Sequence, residues 1–302
     1  MANLPEGRLT PGPPFTYVGV DTFGPWPVVK RRTRGGVAES KRWAIIFVCL
    51  VTRASHIEVI EDMSSSAFIN ALRRFISVRR PVKEFRSDRG TNFVGALKDI
   101  KADAICVEDP PVKAFLKDKE VAWILNTPHA SHKGGFWERI IGLTRNILNA
   151  MLLNTQGQKL THEVLCTLMC EVCAVLNSRP IGPITYDPLD PVLITPSMLL
   201  TQKSGHLTPL TTSTNIREIY ASQWKHVQIL SNMFWKRWQQ DYLSSLQGRR
   251  KWLELRDDVK PGDVVLLKES SERNQWPVAV VERVFPGTDE RVRSLEVRLH
   301  RD

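Results

Sequence analysis

The densest apolar stretch of the chain runs from Arg42 to Val51, where Trp, Ala, Ile, Phe, Val, Cys and Leu follow one another without a polar break. A run this short predicts a strand buried on both faces. Phe15 to Phe23 predicts a strand before it, with Asp21 at its end and Gly24, Pro25 and Pro27 as breakers. His56 to Ile60 predicts a shorter one after it, so the three form an antiparallel meander. The period then changes to that of a helix. Phe68, Leu72, Phe75 and Ile76 recur at helical spacing over Ser64 to Arg80, with serines 64–66 as N-cap candidates and Pro81 as the stop.

Lys83 to Ser87 predicts a short strand that delivers Asp88, and Val121 to Asn126 a last one. The polar stretch between them, Lys98 to Lys119, carries a proline pair and is expected to be an insertion. Helices are predicted over Phe136 to Leu153 and Thr161 to Leu176. Asn177 to Thr212, rich in Pro, Thr and Ser, is expected to be extended. Ile216 to Leu255 returns to helix with Trp and Lys/Arg interleaved. Three β runs close the chain: Val259 to Lys268, Pro277 to Val284 and Ser294 to Leu299, with Pro-Gly turns between.

This pattern divides the chain into a Pro/Gly-rich lead-in (1–14), an α/β core (15–190), a linker (191–215), a helical segment (216–255) and a small antiparallel barrel of SH3-like proportions (256–302). The longest apolar run is about half of what a membrane helix needs. No basic-then-apolar leader opens the chain, so a soluble, intracellular protein with no membrane partner is expected. Net charge is +10, which favours polyanionic partners, nucleic acid first.

The chain has five cysteines, an odd number. Cys166, Cys170 and Cys173, with His162 one turn earlier, share a helix face. Four ligands along one straight helix span too far to close on an ion, so that face is expected to be core.

Three acids are distinguished by placement: Asp21 at a strand end, Asp88 after a short strand, and Glu138 at the opening of a helix. Carboxylates converging from three elements suit a pair of Mg²⁺ ions about 3.5–4 Å apart, which prefer oxygen ligands. Any single acid is more often a solvated surface charge. The surrounding words raise the three above that. Val-Asp-Thr-Phe-Gly-Pro (20–25), Ser-Asp-Arg-Gly-Thr-Asn-Phe (87–93) and Asn-Thr-Pro-His-Ala-Ser-His-Lys-Gly-Gly-Phe-Trp-Glu-Arg (126–139) stand in that order.

These three segments resemble the signatures of retroviral-type integrase catalytic domains, in wording similar to that of the BEL/Pao clade of LTR retrotransposons. The resemblance extends over nearly the whole chain. It implies an RNase H-like mixed sheet flanked by helices, with Asp21, Asp88 and Glu138 as catalytic and metal-holding residues for Mg²⁺ or Mn²⁺. It implies metal-dependent cleavage and transfer of double-stranded DNA strands, by a homo-oligomer working in the nucleus after cytoplasmic synthesis, with no small-molecule cofactor. The C-terminal barrel would bind DNA.

The match departs from the family pattern twice. Forty-nine residues separate Asp88 from Glu138, more than is usual, and the surplus is assigned to the polar insertion. Ile124 stands where the usual spacing would land, and Glu120 lacks the Pro and Gly context. Nor does any His or Cys precede Asp21, so the zinc domain that normally opens such proteins is expected to be missing, and with it part of the means of assembling multimers.

Supporting roles follow from position. Arg145, two turns after Glu138 on the same helix face, is expected to hold a phosphate. Thr91 and Asn92 follow Asp88 and are candidates for touching DNA, or for capping the next helix. Lys133 is a further candidate for DNA contact; His129 and His132, in the same loop, are more often merely exposed. Lys30 to Arg34 resembles a nuclear localisation patch, and equally a basic hairpin turn. Two other readings stand beside the integrase: a domesticated, non-catalytic nuclear DNA-binding protein, and a nuclease acting on RNA–DNA hybrids.

Overall fold

The computed structural model describes residues 6–29, 39–87, 107–125, 137–152, 160–183, 193–203, 223–246, 258–268, 272–289 and 291–299. Clustering divides it into two compact units, residues 1–177 with 211–234, and residues 178–210 with 235–302.

The first unit opens with a one-turn helix, α1 (Glu6–Leu9), inside the expected lead-in. Strand β1 (Tyr17–Val29) is the spine of the sheet. It pairs antiparallel with β2 (Glu39–Cys49), which pairs with β3 (Ser55–Ile60). On its other side lies β4 (Glu84–Ser87), parallel to β1 and to β5 (Ala122–Leu125). The order β3-β2-β1-β4-β5, with three antiparallel strands followed by two parallel ones, is that of an RNase H-like fold.

Alternation of side chains decides the two faces. Val18 and Val20 are fully buried and pair across the strands with Phe85 and Phe47. Helix α2 (Ser65–Arg79) covers this face with Phe68, Ala71, Leu72 and Phe75, and Phe75 stacks on Phe47 with ring centroids 4.1 Å apart. The Ser64 hydroxyl accepts from the Ala67 N–H at 3.2 Å, which caps the helix where the serine run placed it. Asp21 points to the opposite face, toward α4 (Trp137–Leu152). Helix α5 (His162–Ser178) meets the β3 end, where the Asn177 amide receives the Ser55 N–H and donates to the Ser55 carbonyl.

Three sequence expectations change here. β1 does not stop at Gly24: a bulge between Phe23 and Trp26 absorbs the breakers, and pairing with β2 resumes to Val29. β4 pairs only with residues 17–19, and among the described residues the next contact on that side is the Val29 N–H donating to the Leu160 carbonyl at 2.8 Å, so the stretch through Pro25 and Pro27 has one sheet neighbour, where prolines are tolerated. Gly24 has φ +109°, and a Cβ there would lie 3.0 Å from the Arg42 carbonyl oxygen. The expected insertion contains a second packed helix, α3 (Pro110–Asp118), which buries Val112 and Leu116; the proline pair opens that helix rather than breaking it. Finally, α5 buries Leu165, Leu168, Met169, Val172, Val175 and Leu176. The cysteines lie beside that stripe, with Cys166 and Cys173 half-buried and Cys170 exposed, so they are not its core face.

In the second unit the expected extended segment carries a two-residue hairpin, β6 (Gly182–Pro183) with β7 (Leu193–Ile194). A short helix follows, α6 (Pro196–Thr201), capped by Thr195. Helix α7 (Gln223–Leu246) contains the unit boundary, between Phe234 and Trp235. Beyond that boundary Trp235 and Tyr242 meet Trp276 edge-on, and the Tyr242 hydroxyl donates to the Pro180 carbonyl at 2.6 Å. Trp235 and Trp238 are buried while Lys236 and Arg237 are exposed, so those two tryptophans are core. Strands β8 (Val264–Leu266), β9 (Val278–Pro286) and β10 (Val292–Leu299) make a three-stranded antiparallel sheet, the part of the expected barrel that the described residues contain.

Candidate active site

Asp21 sits where β1 parts from β4. Register places Gly19 beside Arg86, hence Ser87 beside Val20, and β4 ends at Ser87. Asp88 is the next residue in the chain, and it lies outside the described residues together with Thr91, Asn92, His129, His132, Lys133 and the Lys30–Arg34 patch.

Both oxygens of Asp21 are held. Oδ1 accepts the Thr22 N–H at 2.8 Å. Oδ2 accepts a hydrogen bond from the guanidinium of Arg145, which also donates to the Thr22 carbonyl at 3.1 Å. Nearby, the Trp26 indole N–H donates to the Asn149 amide oxygen at 3.2 Å, a second tie between β1 and α4. The ion pair is partly open to solvent, with Asp21 23% and Arg145 37% exposed.

Glu138 lies in the first turn of α4. Arg145 stands seven positions further on, two turns or about 10 Å along the same face. The structure thus brings Arg145 to Asp21, on a helix that carries Glu138 toward one end. Sequence reasoning gave Arg145 only a phosphate. Its contact with Asp21, and the part of the Thr22 backbone in it, depend on packing between segments 124 residues apart and leave no sequence signal.

Asp21 and Glu138 supply oxygen donors alone, which is the chemistry a hard divalent cation takes. A carboxylate offers several lone-pair sites over its two oxygens, so the donor chemistry of the pair fits such an ion. Among the described residues no three His, Cys, Asp or Glu side chains gather into a metal cluster.

Residues 222–302 match a family of unknown function, DUF5641. No curated protein matches the chain. Among solved structures it is similar to the simian T-cell lymphotropic virus intasome in complex with PP2A regulatory subunit B56 gamma. That match has 12% identity and a TM-score of 0.41 over 72% of this chain and 64% of that one, so this chain spans under two thirds of that relative. It is similar as well to the HTLV-2 integrase catalytic core domain in complex with magnesium, at 14% identity and TM-score 0.37 over 62% and 97% of the two chains. The BIV integrase catalytic core domain matches at 16% identity and TM-score 0.39, over 62% and 95%.

Proposed function

We propose that this chain is the catalytic core and C-terminal region of an integrase, of the kind found in BEL/Pao-like LTR retrotransposons, acting on double-stranded DNA. The observation that carries the reading is the Arg145–Asp21 ion pair, because it sets the helix bearing Glu138 against the strand bearing Asp21. Two acids taken from separate sequence motifs, 117 positions apart, are thereby borne by elements packed on one another.

In this reading Asp21, Asp88 and Glu138 would hold Mg²⁺ or Mn²⁺. Ions bound there would promote the attacking oxygen and neutralise charge on the leaving oxygen of an in-line displacement at phosphorus. The chain's own groups do the positioning. The Thr22 N–H fixes the orientation of the Asp21 carboxylate. Arg145 would offer its guanidinium to a non-bridging phosphate oxygen, for which its planar fork is suited. Assembly into a homo-oligomer and work in the nucleus belong to the same reading.

The test is strand cleavage and joining on a labelled branched duplex with Mg²⁺ or Mn²⁺, wild type beside Glu138→Gln. Metal-dependent products that vanish in the variant support a working transferase with Glu138 in its site. A folded, DNA-binding wild-type protein that yields no product overturns the catalytic reading.

A further inference from the structure

Among the described residues six non-glycine residues have positive φ, and four of them gather at one end of the five-stranded sheet: Phe15 (65°), Arg53 (62°), Arg80 (74°) and Glu120 (54°). Hydrogen bonding defines that end. Tyr17, Glu84 and Ala122 are aligned at the starts of β1, β4 and β5. The Lys83 N–H donates to the Thr16 carbonyl at 2.9 Å, and the Ala122 N–H to the Lys83 carbonyl at 3.0 Å. The Leu50 N–H donates to the Tyr17 carbonyl, which brings the β2–β3 turn holding Arg53 alongside. At the close of α3, the Glu120 N–H donates to the Lys117 carbonyl and leads straight into β5.

Arg80 is the most unusual of these positions. Its φ of 74° and ψ of −173° fall where glycine alone is at ease. The sequence nevertheless keeps an arginine there, exposed to solvent. Lys83 and Lys117 are exposed too, and none of the three makes an ion pair with any described residue. Of the acids at this end, Asp118 pairs with Lys119 and Glu84 with Arg86, while Glu120 is exposed, so the three bases and Glu120 together keep a net positive charge. Arg80 closes α2, its N–H donating to the Ile76 carbonyl at 2.8 Å, and glycine is the usual residue where a helix ends with positive φ. Backbone strain kept in this way is characteristic of binding positions.

The aromatic residues at this end are covered. Phe15 is buried, and Tyr17 packs on Gly7. The rim therefore offers point charges without a stacking platform, which suits the phosphate backbone of a duplex rather than the bases of a single strand. It lies four residues before Asp21 on β1, about 13 Å away at the usual strand rise, so one phosphate cannot touch both. We propose that Arg80, Lys83 and Lys117 form a duplex-DNA rim, which holds backbone phosphates other than the one at the carboxylates. The inference rests on the nucleic-acid reading above.

The test is fluorescence anisotropy of a labelled duplex across a salt series, on the full chain, with the triple variant Arg80→Gln, Lys83→Gln, Lys117→Gln and the single variant Arg80→Gly. Each lost phosphate contact should lower the slope of log affinity against log salt by about 0.9. The triple variant should therefore lose up to about 2.7 of slope and bind at least about tenfold more weakly at low salt. Arg80→Gly should bind more weakly and yet melt at a higher temperature, a combination that a purely structural arginine does not give. Unchanged affinity and slope in the triple variant, with wild type binding DNA, overturn the rim and leave the integrase reading standing. A wild-type chain that binds no duplex overturns both. Normal binding losses at the rim, with no cleavage by wild type, overturn only the catalytic reading.

Discussion

Arg145 on α4 and Asp21 on β1, 124 positions apart, form the ion pair that joins helix to strand at the candidate active site. The guanidinium stands beside the very carboxylate a cation would use. Its positive charge competes with any metal there, at a strength set by an environment part-way between water and protein interior.

Arg145→Met removes that competitor and keeps most of the side chain's volume. The ion pair is more than a third exposed on the arginine side, so solvent screens it and the stability cost should be about 1 kcal/mol or less. Mn²⁺ binding, followed by calorimetry or by the spin resonance of the free ion, should tighten about tenfold. Weaker Mn²⁺ binding in the variant would mean that Arg145 orients Asp21 for the metal rather than holding it closed.

Gly24→Ala should destabilise the chain by about 1–3 kcal/mol. Its φ of +109° is unfavourable for a side chain, and the added Cβ would press on the Arg42 carbonyl oxygen and on the Trp43 Cα. Urea unfolding reads the change as a lower midpoint at unchanged slope. A midpoint equal to that of wild type would show that the bulge can rearrange.

Glu58 sits between His56 and Arg74, 2.8 Å and 2.6 Å away. Burial pushes its carboxyl up, but the hydrogen bonds from His56 and Arg74, together with their charges, outweigh burial and leave it below its ordinary value of 4.5. A carboxylate lowered in the folded state contributes stability that is present above the unfolded value and lost as pH falls through the folded one. The melting temperature should therefore drop as pH falls below about 4.5, and Glu58→Gln should make that drop shallower. An identical pH profile in the variant would assign the acid lability to other carboxylates.

The cysteines of α5 should separate by reactivity. Although Cys173 is only half-buried as a residue, close packing pushes its thiol up to about 12. Cys170 is exposed, and burial raises its thiol more modestly. Iodoacetamide at about pH 8 attacks thiolates, so mass spectrometry should find Cys170 labelled first and Cys173 only after denaturant is added. Equal rates would show that α5 opens readily at this edge.

Much of the first unit was legible because its signals are local. The apolar run of β2, the helical repeat of α2 and the serine cap at Ser64 each follow from residues adjacent in sequence. What escaped depended on partners further off. Pro25 and Pro27 mark a break in isolation, and only the early departure of β4 explains why a strand passes through them. Helix α3 has just two buried residues, Val112 and Leu116, too few to show a period in a polar stretch. The helical spacing of the α5 cysteines reads as a core face in sequence, while the longer stripe from Leu165 to Leu176 holds that place. At the candidate site, Asp21 and Glu138 could be named from motif wording. The ion pair of Arg145 with Asp21 could not, since no sequence rule links them.

Between Asp21 and Val28 the described residues pair β1 on the β2 side alone. A strand with a bare side is a template on which a stray chain can add itself, and fibrils grow by that route. Pro25 and Pro27 carry no N–H, so two places where an invading strand would find a donor are missing from the stretch beyond the pairing with β4. The two prolines thus disfavour self-association along the stretch that, among the described residues, pairs on one side only, next to the candidate reactive carboxylate.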